Sequence, residues 1–291
     1  MEQCLICKQG VWSPFLQTQR LKIESCNFCG HHRAHHLVLT TDQKEYDQLW
    51  QNANPDYLKS LSDLRQTQAI QICSQIKILF GIPKKWCDFG TGRGWFPIEL
   101  KKNGIPVVGV DASPAALDFL KEFDIQTAVI NDFRNINSMV PDITGLSLLD
   151  VLEHFKIESI RDFLQVLSSQ SQLRYLVVKV PVIHGFFYRL SCFFSKWGFT
   201  GPLETLYQVG TEPPHEVYFS EKSIEILIQS FGFKLVKKIR DPDFESDQIL
   251  ERILKRKISI PGLSFIVGFF LKYFISTCKL QDSTIYFFTR D

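Results

Sequence analysis

From Trp86 onward, short apolar runs alternate with stretches whose apolar residues recur at helical spacing. The pattern predicts strands at Trp86–Phe89, Val107–Val110, Thr127–Ile130, Leu146–Leu149 and Tyr175–Val180, the last stopped by Pro181. Between them it predicts helices at Trp95–Asn103, Ser113–Glu122 and Ile157–Ser168. Strands alternating with helices call for a parallel, doubly wound α/β sheet, with ligands held at the carboxyl ends of its strands. After Pro181 the alternation lapses, and the aromatic residues 183–213, with interspersed Gly and Pro, read as an inserted lid. A helix then starts at Ser220, whose hydroxyl caps it, and ends at Gly232. Strands Phe233–Ile239 and Thr284–Thr289 bring the number to seven. Residues 242–282 between them are an insertion, with an amphipathic helix at 244–257 and an apolar one at 263–277. Upstream, residues 38–80 read as a helical linker: Tyr46, Leu49, Trp50, Tyr57, Leu61 and Leu64 repeat at helical intervals, followed by Ile70, Ile72, Ile76 and Leu79.

The first strand runs into the turn Asp88-Phe-Gly90-Thr-Gly92-Arg-Gly94, and the second ends in Asp111. Glycines let the backbone approach a ligand where any Cβ would take its volume. Asp111 offers both ribose hydroxyls of an adenosine a charge-assisted partner. The glycines do not follow the G-x-G-x-x-G order of a dinucleotide site. A carboxylate at Asp88 repels a pyrophosphate and suits a cationic amino-acid moiety. This run resembles motif I of class I S-adenosylmethionine (SAM) methyltransferases, in which the acid and glycines hold the methionine part. Asp111, followed by Ala112, then matches the acidic ribose clamp. Asn131-Asp132-Phe133 suits adenine, the carboxylate accepting from the exocyclic amine and the ring packing on its face. The competing reading of Asp132 is a helix N-cap.

The run Leu148-Leu-Asp-Val-Leu-Glu-His154 resembles the motif after strand four in the ubiquinone-biosynthesis-like branch of these enzymes. His215-Glu-Val-Tyr-Phe-Ser220 is similar to the same branch, and the likeness spans residues 70–240. It implies SAM as methyl donor, a Rossmann-like seven-stranded sheet with an antiparallel last strand, and in-line attack on the methyl group. His154, after the strand end that faces the acceptor, is the first candidate base, and His215 the second. Asp150 is expected to contact the cofactor. Asp150, Glu153 and His154 fall at i, i+3 and i+4, so one helical turn would bring them together around a divalent ion, as in some relatives.

Ahead of this domain, Cys4-Leu-Ile-Cys7 and Cys26-Asn-Phe-Cys29 form two C-x2-C pairs separated by residues 8–25, enough for a hairpin. Four thiolates complete a tetrahedral Zn2+ site with no open position, so its role is expected to be structural. Because four cysteines suffice, His31, His32, His35 and His36 are read as a solvated polar turn rather than as substitute ligands. The boundaries that follow are a zinc-binding module at 1–37, the linker at 38–80 and a methyltransferase domain at 81–291. A four-cysteine module fused to such a domain resembles methyltransferases of polysaccharide and sugar-modification clusters.

Composition narrows this little. The 291 residues are 45% hydrophobic, ordinary for a sizeable core, and the net charge of +2 gives no global argument for nucleic acid or for acidic partners. Eight cysteines with no export signal in view favour metal over disulfides. Cys73, Cys87, Cys192 and Cys278 read as small buried hydrophobes. The longest apolar run, Ile260–Lys279, is interrupted by Pro261, Gly262 and Lys272, so a cytoplasmic protein is expected rather than a membrane-spanning one. The aromatic lid and helix 263–277, flanked by Lys255-Arg-Lys257 and Lys272, also fit peripheral contact with a membrane. The leading expectation is methyl transfer to an oxygen of a small molecule or glycan, with lipid-linked or quinone-like acceptors as a variant. An RNA methyltransferase is the alternative, weakened by dispersed basic residues and by the lack of an Asn/Asp-Pro-Pro-Tyr run or a Pro-Cys nucleophile. A cofactor-free scaffold is the remaining one.

Overall fold

The computed structural model describes residues 2–38, 55–241 and 282–291, with side chains of the first helix described from Leu61. Strands β1 (Trp12–Gln17), β2 (Leu21–Cys26) and β3 (His32–His36) come first, then helix α1 (Pro55–Phe80). The alternating part runs β4 (Trp86–Phe89), α2 (Trp95–Lys102), β5 (Val107–Asp111), α3 (Pro114–Lys121), β6 (Gln126–Val129) and the short α4 (Ile136–Met139). It continues through β7 (Gly145–Leu149), α5 (Ile157–Ser168) and β8 (Tyr175–Pro181). Helices α6 (Phe186–Ser195) and α7 (Gly201–Leu206), strand β9 (Val217–Tyr218), helix α8 (Glu221–Gln229) and strands β10 (Lys234–Asp241) and β11 (Ser283–Thr289) complete the order.

The large sheet has the order β10-β11-β8-β7-β4-β5-β6. Strands β8, β7, β4, β5 and β6 are mutually parallel, and β11 enters antiparallel between β10 and β8. All seven expected strands are present, in a Rossmann-like sheet with the antiparallel last strand. Its centre is dry: Leu146 and Leu148 of β7, Val177 and Val178 of β8 and Tyr286 to Phe288 of β11 are fully buried. Helix α8 starts as expected, with Ser220 and Ser223 exchanging bonds in a capping box. Expected helices 244–257 and 263–277, and residues 39–54 of the linker, lie outside the described residues.

Two expectations need correction. The lid at 183–213 carries helices α6 and α7, hidden because α6 has aromatics on both its buried and its exposed face. The histidines after Cys29 are not a solvated turn. His32, His35 and His36 belong to β3, and His31 and His32 are buried at 0% and 5% exposure.

The amino-terminal strands form a second sheet, β1-β2-β3-β9, whose last strand comes from the far end of the chain. Arg33 and His32 pair with Val217 and Tyr218. Cys4, Cys7, Cys26 and Cys29 sit in the same apolar cluster as Leu164 and Leu227 of α5 and α8. Lys222 Nζ donates to the Phe28 carbonyl at 2.8 Å, and Ser220 Oγ to that of Cys29. The cysteine segment is therefore built onto the large sheet's helices.

Trp86 sets the packing at the sheet's centre. It is fully buried, its indole N–H donates to Ser147 Oγ at 3.0 Å, and its ring occupies the space above Gly145. A Cβ on Gly145 would lie 2.1 Å from Trp86 Cε3. Gly145→Ala is expected to destabilise the fold by about 1–3 kcal/mol through overpacking, read as a lower urea midpoint. An unchanged midpoint would show that the ring moves freely.

Candidate active site

The turn after β4 is shaped by three glycines at positive φ, each there for its own reason. A Cβ on Gly90 would meet Val151 Cγ2 at 2.5 Å, and one on Gly94 would meet Leu120 Cδ2 at 2.2 Å. Gly92 alone faces open space. Gly90 and Gly94 thus make room for protein side chains, and only Gly92 of the three borders open space. Gly90 N and Thr91 N both donate to the Val110 carbonyl, which fastens the turn to β5.

Asp88 is buried beneath this turn, with one carboxylate oxygen accepting from Ser147 Oγ and the other from Thr91 Oγ1 at 2.8 Å. Burial pushes its pKa up to about 7 against these two hydrogen bonds. Asp111 accepts from Gly92 N and Ser113 N, each at 2.9 Å, so it braces the turn while bordering the cavity. That cavity has a volume of about 510 Å3. The glycine turn forms one wall, Leu149 and Asp150 border it from the end of β7, and Leu61, Arg65 and Ile72 of α1 line it from outside the sheet.

The residues that sequence reasoning missed are charged and lie at the strand ends. Lys179, 1% exposed, points its ammonium at Asp150, with 2.9 and 3.0 Å to the two oxygens, and stands 3.7 Å from Asp241 Oδ2. Arg65 of α1 also binds Asp150, and Gln68 donates to Asp241 Oδ2 at 2.6 Å. Burial raises the Asp150 pKa, but Arg65 and Lys179 outweigh it and hold the carboxylate well below the usual range. A signal was present: Lys179 is the one charged residue in the strand Tyr-Leu-Val-Val-Lys-Val, and a lysine inside a buried strand demands an acid.

This placement corrects the expected metal trio. The helical turn begins at Leu152, and Asp150 sits before it at φ 57°, with its carboxylate committed to Arg65 and Lys179. Asp150 therefore leaves the trio, and His215 takes its place. The ligand atoms of Glu153, His154 and His215 lie within 4.8 Å of one another, and the two imidazole centroids are 4.6 Å apart. His154 Nδ1 lies 2.9 Å from the Pro214 carbonyl, so that nitrogen carries the proton and Nε2 is free to accept. Glu153 Oε2 and His215 Nδ1 are buried without a hydrogen-bond partner. Burial lowers both histidine pKa values, and burial with the nearby Asp150 charge raises that of Glu153. Neither histidine borders the cavity described above.

Asp132 caps the 3-10 turn 133–135, accepting from Arg134 N at 3.0 Å, which is the capping role weighed against adenine binding. Phe133 packs edge-on against Phe155 and Phe163. Both follow β6, beside Asp111 on the neighbouring strand, but outside the cavity wall. Ala112 is exposed between Asp111 and Ser113.

Cys4, Cys26 and Cys29 converge with His31, and Cys7 approaches Cys26 from beside them. Cys4 and Cys29 sulfurs are 3.8 Å apart and those of Cys7 and Cys26 3.7 Å, near the edge of about 3.8 Å in a tetrahedron with metal–sulfur bonds of about 2.3 Å. Cys7 N and Gly10 N point at the sulfurs of Cys4 and Cys7. His31 Nδ1 adds a fifth donor, 3.1 Å from Cys29 Sγ, and groups with Cys4, Cys26 and Cys29 within 4.8 Å. The cluster can hold a metal ion.

A seven-stranded sheet with this strand order, a glycine turn after β4 and an acid ending β5 define a class I SAM-dependent methyltransferase. A family model described as a methyltransferase domain matches residues 56–238, more than half of the chain, and the chain belongs to that family. The fold is similar to a SAM-dependent methyltransferase from Archaeoglobus fulgidus, at 17% identity over 78% of this chain and 94% of that one, with TM-score 0.51. It is also similar to the magnesium protoporphyrin IX methyltransferase of Synechocystis, solved with bound SAH, at 14% identity over 86% and 94% of the two chains, with TM-score 0.53. No curated protein matches the sequence.

The raised pKa of Asp88 fixes the sign of a pH effect. Its contribution to stability is present below the ordinary carboxylate range and is lost as the pH climbs through about 7. Asp88→Asn should therefore remove about 2–4 kcal/mol of the decline that ligand-free protein shows between about pH 4 and about pH 8. Melting midpoints across that range check it, and identical slopes for both proteins would show that Asp88 titrates normally.

Proposed function

We propose that this methyltransferase acts on an oxygen of a small molecule or glycan. The observation that carries the reading is the cavity between the glycine turn and α1, which has room for a cofactor and one compact acceptor group. When bound, SAM supplies a sulfonium methyl that is already strongly electrophilic, so the protein's part is alignment and exclusion of water. In this reading the turn at Gly90, Gly92 and Gly94, fixed by Asp88, receives the methionine part, and Asp111 takes the ribose hydroxyls. An adenine carried beyond Asp111 meets Ala112 and then the Asp132–Phe133 turn, because β5 and β6 are adjacent. Asp150, locked by Lys179, borders the same space. Of the three cations lining the cavity, Arg65 and Lys179 are committed to Asp150, and Arg93 on the glycine turn does not by itself make the basic stripe that RNA binding uses.

A hydroxyl acceptor needs its proton removed, and His154, which lies on the lid side and outside the cavity lining, is the assigned base for an acceptor that reaches the methyl group from that side, with Nε2 as the accepting atom. The alternative at the same residues is a divalent ion held by Glu153, His154 and His215, in which case His154 Nε2 would be a ligand instead of the base and the ion would lower the pKa of the acceptor hydroxyl. The donor set of one carboxylate and two imidazoles, two of whose buried atoms lack partners, fits such an ion. Cys4, Cys7, Cys26 and Cys29 are assigned to a structural Zn2+, with His31, whose Nδ1 lies among the Cys4, Cys26 and Cys29 sulfurs, as the alternative to Cys7 for the fourth position.

Calorimetry with SAM tests the donor site. Wild type is expected to bind, and Asp111→Ala to bind about tenfold or more weakly, the worth of charge-assisted hydrogen bonds. A wild-type chain that takes up neither SAM nor SAH would overturn the reading. Metal analysis separates the two metal assignments. Purified protein should carry zinc that Cys4→Ser loses and His215→Ala retains. A divalent ion added after chelator treatment should stimulate wild type but not His215→Ala, and equal stimulation of both would remove the second site.

A further inference from the structure

Helix α6 is pinned on one side and bare on the other. Its inner residues Tyr188 and Cys192 are buried against Leu21 and Ile23 of β2 and Leu203 of α7. Tyr188 OH stands 2.6 Å from His32 Nδ1 and 2.8 Å from Tyr207 OH, a buried chain that holds the helix to the small sheet. On the outer side Phe193, Phe194, Trp197 and Phe199 are 55%, 40%, 73% and 68% exposed. Phe193, Phe194 and Trp197 are contiguous, with the Phe193 ring centroid 5.7 Å from that of Phe194 and 6.5 Å from that of Trp197, and Phe199 follows just past the helix end. Single exposed apolar residues need no explanation, but four aromatics on one crest do.

The charges beside the crest select what covers it. Residues 183–203 contain Arg189 and Lys196, both exposed, and no acid. An aromatic crest with a cationic border matches an anionic bilayer surface: rings enter the headgroup boundary while Arg and Lys meet phosphates. A second copy docked by two-fold symmetry would bring together the cations of both chains with no acid from this segment to neutralise them. Among the described residues no helix is long and apolar enough to cross a membrane, so the contact is with the surface.

We propose that the α6 crest, Phe193, Phe194, Trp197 and Phe199 with Arg189 and Lys196, docks this protein on an anionic lipid surface. The proposal rests on the fold and not on the identity of the acceptor. It places the acceptor-side lid at the membrane boundary, where a lipid-linked substrate would be met.

Flotation of the full chain with vesicles tests it, comparing phosphatidylglycerol mixed into phosphatidylcholine with phosphatidylcholine alone. Wild type should float with the anionic vesicles and release on raising the salt. The variant F193S/W197S should float about tenfold or more weakly, since two buried rings contribute well over the 1.4 kcal/mol that a tenfold change represents. Both residues are exposed, so the variant should keep its melting midpoint and SAM binding, and Arg189→Gln/Lys196→Gln gives a second variant that leaves the rings intact. Wild type that does not float, or that floats equally with neutral vesicles, overturns the proposal. So does light scattering that shows a wild-type dimer turned monomeric by F193S/W197S without vesicle binding, which would make the crest a self-interface.

Discussion

A lysine ammonium taken out of water is tolerated only if acids and hydrogen bonds replace the water it loses, and Lys179 meets that demand at the carboxyl end of the sheet. Its partners arrive from separate parts of the chain: Asp150 ends β7 and Asp241 ends β10. Arg65 and Gln68 then bind those acids from α1. One buried charge thus ties two strand ends and the helix that closes the cavity to a single point. The backbone shows the same constraint, because Asp150 is held at φ 57°, a conformation costly for a residue other than glycine. Were Asp150 to continue into the following turn, its carboxylate would leave Lys179 buried without its closest partner.

That one constraint divides the strand-four motif into two halves with separate chemistry. Asp150 faces the cavity with Arg65 and Lys179, while Glu153 and His154 meet His215 on the lid side. Periodicity alone would have kept them together. The left-handed residue separates them, and the charge that imposes it lies in a different strand.

The sheet was legible because its period is local. Each strand from Trp86 to Val180 declares itself by an apolar run, and the antiparallel last strand followed from the resemblance to a known family. The glycine turn was legible for a related reason, since Gly90, Gly92 and Gly94 sit within five residues of one another. What stayed hidden depends on contacts distant in sequence. His31 and His32 read as solvated because four cysteines already suffice for a metal, yet Trp12 and Tyr188, distant in sequence, cover them. Arg65 carries no local signal in the helical linker, and only the fold reveals Asp150 beneath it. Helix α6 was obscured for the opposite reason: its exposed face is as aromatic as its buried one, so no amphipathic contrast remained to read.

The cysteine segment takes on another meaning in this frame. Strand β9 is only two residues long and, among the described residues, pairs within its sheet with β3 alone, so its pairing with Arg33 and His32 fixes where residues 215–218 run. Ala34 N donates to the Glu216 carbonyl at 2.8 Å and Glu216 N to the Glu153 carbonyl at 2.7 Å, while His36 Nε2 lies 3.0 Å from the His215 carbonyl. His215 is therefore positioned by a strand whose own geometry depends on the fold around Cys4 and Cys29. A metal held by those sulfurs would act on the acceptor side of the enzyme without touching a substrate, by keeping β3 in the place that brings His215 to His154.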